Sequence, residues 1–336
     1  MITQIKTTTW RNSAVVLAAL LFCLPVFAET EPASGANAAP TSETAPQDQS
    51  PDATTRLQEV QTRIDQLKDE SDEAARNSAA DKIRDDIKEC RQELSDQLDG
   101  LLEQWKTFPS FIAPEEEALR AERSKVESRL LKVKLALAQA PFWEAQTHLN
   151  DENSRKKLLQ QSADELEKIH QAHRSQVAGL YARLLQGKCF EEMGDVRIAL
   201  GIYEELLGPE GQSPTLLNLH DRALHYRLIC LNRDVRRDYK LVQLEAEKWL
   251  ETAEARSNSA AGLGIRWELC RALESLGSNR TTEEAERTAY LESALEYAET
   301  LNHESDTYKA ATSALIDRIQ QRLDGKQPED KDAIST

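Results

Sequence analysis

Apolar residues recur along most of this chain at intervals of three and four, and no stretch alternates for long as a strand would. The sequence therefore predicts helices throughout and an all-α fold. From Arg56 to Trp105 the pattern is a heptad-like seam: Leu57, Val60, Ile64, Leu67, Ser71 and Ala74, then, after a slip near Asn77 and Ser78, Ile83, Ile87, Cys90, Leu94, Gln97 and Leu101. Residues 55–106 are thus either a helical hairpin or one helix with a discontinuity. Their seam either packs on the rest of the chain or pairs with a second copy as a short coiled coil. Pro109 and Pro114 break the pattern, with Phe108, Phe111 and Ile112 placed to seat the junction on the helical domain C-terminal to it. Helical spacing resumes at Glu115 and is expected to stop at Pro141, and a second helix spans 153–172 on Leu158, Leu159, Leu166 and Ile169. Further helices are predicted over 214–232, 238–255, 258–277, 282–301 and 304–323, the last polar enough to cap an array.

The strongest local signal is residues 180–207. Gly187 and Phe190 stand three apart, as do Ala199 and Ile202, and Tyr203 and Leu206 continue the second stripe, which predicts two amphipathic helices. Gly194 suits the left-handed conformation that closes the first helix, and Asp195 is expected to accept amide hydrogen bonds at the start of the second. This order of Gly, aromatic, Gly-Asp, Ala and aromatic resembles the tetratricopeptide repeat (TPR) family, on Gly187, Phe190, Gly194, Asp195, Ala199 and Tyr203. The chain departs from the family at Arg183, where a Trp is usual, and in its closing Pro, displaced to Pro209 or Pro214. Gly187 and Phe190 have counterparts in Ala223 and Tyr226 and in Gly264 and Trp267, each a small residue with an aromatic three places on.

The resemblance implies a right-handed TPR-like α-solenoid of about four helical hairpins plus a capping helix over 115–324, preceded by the short coiled-coil or helical segment. A generic array of helical hairpins is the alternative. The resemblance also implies that the first helix of each hairpin lines a concave groove. Lys188, Glu191, Glu192, His220, Arg227, Asn258 and Glu268 would project into it and hold a peptide or a partner helix.

The chain's two ends change the picture. Lys6 and Arg11 precede an apolar run from Ala14 to Ala28, with small residues Val26 and Ala28 ahead of Glu29, the pattern of a secretory signal peptide over 1–28 cleaved after Ala28. That run is shorter than the roughly twenty residues a membrane span requires, so no stable membrane insertion is expected and the address is periplasmic or secreted. Residues 29–54 hold Ala, Pro, Ser, Thr and a few acids without a large aliphatic or aromatic side chain, and read as a disordered linker. Residues 325–336 read as a polar tail.

Acidic residues number 58 against 42 basic, a formal charge of −16 that speaks against a nucleic-acid partner. Arg233, Arg236, Arg237 and Lys240 form a basic cluster in this acidic chain, placed either to dock a carboxylate-rich partner or to pair with its own acids. Cys90, Cys189, Cys230 and Cys270 each lie on an apolar stripe; they are small core residues, with a Cys230–Cys270 bridge the alternative in an exported protein.

Candidate chemistry is sparse. Glu167 and His170 have the Glu-x-x-His spacing of helical di-iron sites, with His173 nearby, but the chain has no second copy of the motif, and a solvated helix face is the better account. There is no Gly-x-Ser-x-Gly and no Gly-rich phosphate loop. The sequence thus predicts no enzyme and no cofactor, but an exported scaffold or adaptor binding a protein or peptide in the cell envelope. The alternatives are a structural homo-oligomer assembled through 56–105 and, third, a metal-dependent enzyme using Glu167, His170 and His173.

Overall fold

The computed structural model describes residues 52–208 and 213–325, so the predicted signal segment, linker residues 29–51, Pro209 and tail residues 326–336 lie outside the described residues. Among the described residues the protein is helical with no strand. It divides into two compact units, one ending at Ala182 and the other beginning at Arg183.

The first unit begins with α1 (Ala53–Asp69), which takes in the last two residues of the predicted linker. The side chain of Asp52 accepts from the Thr55 amide and caps α1 at its start. α2 (Glu73–Lys106) begins after a break at Glu70–Asp72, several residues before the expected slip at Asn77–Ser78. Asp72 sets this boundary, because its carboxylate accepts from the amides of Ala74 and Ala75. The segment is therefore a hairpin, and its seam is spent inside the unit: α1 and α2 pack on each other and on α3 (Glu117–Gln146), burying Leu57, Val60, Ile64, Leu67, Ile83, Ile87 and Leu94.

Pro141 does not end α3, contrary to the expectation. It sits buried inside the helix, which runs on to Gln146. A proline there removes the donor for the carbonyl four residues back, that of Leu137. At the next carbonyl α4 (Glu152–Ala172) is tied to α3, the buried Ser162 hydroxyl donating to Ala138 O at 2.6 Å. Phe142 and Trp143 pack edge to face beside Pro141, with centroids 5.1 Å apart.

The second unit takes in the end of α5 (Val177–Met193), then α6 (Val196–Leu207), α7 (Pro214–Asn232), α8 (Tyr239–Ala253), a 3-10 turn (Glu254–Asn258), α9 (Ala260–Gly277), α10 (Glu284–Glu304) and α11 (Lys309–Leu323). Each helix packs on its neighbours in chain order from α6 to α11, and α7 also packs on α9. One apolar core joins Leu228, Leu231, Val242, Ala246, Ile265, Leu269, Leu273, Ala294, Leu301, Leu315 and Ile319.

The α5–α6 turn is a Schellman closure: Gly194 has φ +87°, its amide donates to Glu191 O at 3.1 Å, and the Asp195 amide donates to Phe190 O at 2.9 Å. Asp195 caps α6 with its backbone carbonyl only, since its side chain makes no capping bond. Cys90, Cys189, Cys230 and Cys270 are buried, and Cys230 and Cys270 are not bridged.

Candidate functional site

The small and aromatic residues of the repeat pattern are internal. Ala199, Tyr203, Ala223, Tyr226, Gly264 and Trp267 are buried, as is Gly187, and Phe190 is half-buried. A Cβ on Gly187 would stand 2.6 Å from Tyr203 Cε1 and 3.0 Å from Ile202 Cγ2, so glycine lets α5 close on α6. Gly264 meets a different neighbour, the His225 ring of α7. The two glycines serve different contacts, Gly187 between α5 and α6 and Gly264 between α9 and α7.

Around these residues α5, α7 and α9 assemble a buried polar cluster. Lys188 and Glu191, three apart on α5, are 1% and 0% exposed, which rules out their predicted place on an open groove wall. Lys188 Nζ lies 2.7 Å from Glu191 Oε1 and 3.2 Å from Oε1 of half-buried Glu192, and sits 5.3 Å from the centre of the Tyr226 ring. The other oxygen of Glu191 accepts from the Tyr203 hydroxyl at 3.0 Å. Arg233, at the end of α7, donates to Glu191 Oε1 at 2.9 Å and to its carbonyl at 2.8 Å.

The neighbouring residue, Asn232, reaches the other way: its Nδ2 donates to Glu268 O at 2.9 Å and to Glu268 Oε2 at 2.7 Å on α9. Arg271 pairs with the same carboxylate at 2.8 Å, so Glu268 is internal too and is corrected with Lys188 and Glu191. Sequence periodicity could not show this, since an acid and a base three apart on a helix read as a solvated pair until Arg233 and Asn232 arrive from elsewhere.

Electrostatics reflect the burial. Desolvation works against the Lys188 ammonium, but Glu191 and Glu192 outweigh it and hold its pKa above that of ordinary lysine. Burial and then the Lys188 charge push His225 down to about 3, so the ring stays neutral, with no hydrogen-bond partner for its Nδ1. Burial also raises the Cys230 thiol, and lifts that of Cys270 to about 12, leaving both unreactive.

The other predicted groove residues are scattered. Arg227 is mostly covered and pairs with Glu245 of α8 at 2.9 Å, His220 is half-buried, and exposed Asn258 ends the 3-10 turn, 3.4 Å from Arg266 Nη1. The basic cluster is largely paired within the chain: Arg233 with Glu191, Arg237 with Asp234 and Lys240 with Glu286. In the first unit, His170 is buried, its Nδ1 3.0 Å from the Gly179 carbonyl, and so ties α4 to the start of α5. Among the described residues no three His, Cys, Asp or Glu side chains converge as metal ligands.

The open surface lies on other elements. Ile198 of α6, Leu244 of α8 and Val235 between α7 and α8 are exposed apolar side chains of the second unit. Comparison with protein-family models, curated proteins and solved structures finds no match to this chain.

Proposed function

We propose that the chain is an exported helical-repeat scaffold, TPR-like in its second unit, that binds a protein partner in the cell envelope. One observation carries the reading. The end of α7 holds two register-equivalent carboxylates at once, Glu191 of α5 through Arg233 and Glu268 of α9 through Asn232. Successive first helices are thereby locked side by side, as stacked hairpins require, with acids balanced by bases inside the lock. A surface held this way is preformed, so a partner would bind it at little ordering cost.

The inner faces being occupied by this cluster, binding falls to the outer helices, where Ile198 and Leu244 stand in water. Export rests on the apolar run Ala14–Ala28 and its basic lead. The test is capture from envelope extracts on the immobilised chain, beside the I198D/L244D variant and, as a control at an exposed charge of the first unit, K168E. The reading predicts a partner retained by the parent and by K168E and lost by I198D/L244D. No reproducible partner, or one indifferent to both surface changes, would contradict it.

A further inference from the structure

Within the second unit α8 is held differently from its neighbours. Its buried side chains are Val242, Ala246 and Ala253, none larger than valine, while Tyr239, Leu241, Trp249 and Leu250 are only half-buried. By contrast α6 buries Ile202, Tyr203 and Leu206, α10 buries Leu291 and Leu301, and α11 buries Leu315 and Ile319. Burial of apolar surface therefore anchors α8 less than it anchors these helices.

Polar clamps supply the rest of the attachment. Glu245 accepts from Nε and Nη2 of Arg227 on α7 at 2.9 and 3.0 Å, and Trp249 Nε1 donates to the buried Asp221 carboxylate of α7 at 2.7 Å. Lys240 reaches Glu286 of α10 at 3.1 Å and lies 4.3 Å from the centre of the Tyr290 ring. Arg256, in the 3-10 turn that follows α8, pairs with the same Asp221 carboxylate.

Both ends of α8 carry backbone strain. Arg237, two residues before the helix, has φ +51°, and Glu254, directly after it, has φ +47° and ψ −127°. Among the described residues these are the two non-glycine positions with positive φ, and they bracket one helix. Left-handed backbone crowds a Cβ against the neighbouring carbonyl, a cost glycine avoids, and the turn before α6 has Gly194 at such a position.

We propose that α8 is a spring-loaded strap, a helix that detaches from α7 and α9 as a unit, ahead of global unfolding, and is kept closed by its polar clamps. Little apolar contact is lost when it lifts, and relaxing Arg237 and Glu254 together favours the open form. Three of the clamps are ion pairs with partly exposed members, so rising ionic strength loosens the strap. Lifting bares the part of the core that Val242 and Ala246 share with Leu228 of α7 and Ile265 of α9. The inference is independent of the scaffold reading, because opening belongs to the chain alone.

The experiment is amide hydrogen exchange read by mass spectrometry on the full chain, at low salt and at ~0.5 M NaCl. Peptides within Tyr239–Ala253 should exchange at least ~10-fold faster than those of α9, and faster still at high salt. Glycine at both strained positions, R237G/E254G, should slow α8 exchange ~3-fold or more, since the closed form then carries no strain to release. E245Q should speed α8 exchange ~10-fold, the scale of a weakened charged hydrogen bond, with α9 unchanged. Equal protection of α8 and α9 would overturn the proposal, as would glycine variants that exchange as fast as the parent or faster. So would an E245Q effect that is absent or spreads equally to α9, which would make the opening global.

Discussion

Lys188 and Glu191 act as internal supports, because at 1% and 0% exposure neither charge can be left alone without a large desolvation cost. Glycines show the same logic in steric form. Tyr203 is pinned by its bond to Glu191 and cannot retreat from α5, so G187A should lower stability by about 1–3 kcal/mol in urea unfolding. Gly201 is exposed on α6 with open space where a Cβ would go, and G201A should leave stability unchanged or raise it by up to about 1 kcal/mol.

His225 gives the pH dependence. Its folded pKa lies near 3, below the ordinary 6.5, so the folded state binds fewer protons than the unfolded one in between. Its contribution is therefore fully present above pH 6.5 and falls as pH drops from 6.5 toward 3, by at most about 1.4 kcal/mol per pH unit. Lys188, beside it, stays charged through that window and adds to the penalty of protonation. Stability measured against pH should flatten over this range in H225Q; an unchanged slope would remove His225 from the account.

At the scale of elements, α3 departs most from its sequence signal. Pro141 reads as a stop, but the buried pair Phe142 and Trp143 favours continuing the helix, and Ser162 of α4 ties itself to the Ala138 carbonyl in the same stretch. S162A should cost about 0.5–1.5 kcal/mol in urea unfolding, since it removes a buried hydrogen bond that ties α4 to α3. The cysteines belong to this scale as well, each lying on the packed face of its helix. A thiol reagent should label Cys90, Cys189, Cys230 and Cys270 only after denaturation, and fast labelling of the native protein would show a looser core. Most helix positions were legible because three-and-four spacing survives in the residues themselves. The α1–α2 break was also written there, in Asp72 as a cap, but the weak stripe at Ser71 and Ala74 hid it.

For the whole molecule, neighbouring signals could be read and distant ones could not. Gly194 announces its turn locally, whereas the placing of Glu191 depends on Arg233, 42 residues away, and that of Glu268 on Asn232, 36 away. The predicted groove failed at Lys188, Glu191 and Glu268 for this reason: helix spacing says which side a residue occupies and not what covers that side.

The scaffold account stands on the polar cluster being internal, and paired unfolding of E191Q and K188M/E191Q tests this directly. E191Q leaves an excess buried positive charge and should cost about 3–5 kcal/mol, while adding K188M restores the balance and should recover at least about 1 kcal/mol. If E191Q instead changed stability by less than about 0.5 kcal/mol, as a solvated surface position does, the cluster would not be buried and the stacked-hairpin reading would fall.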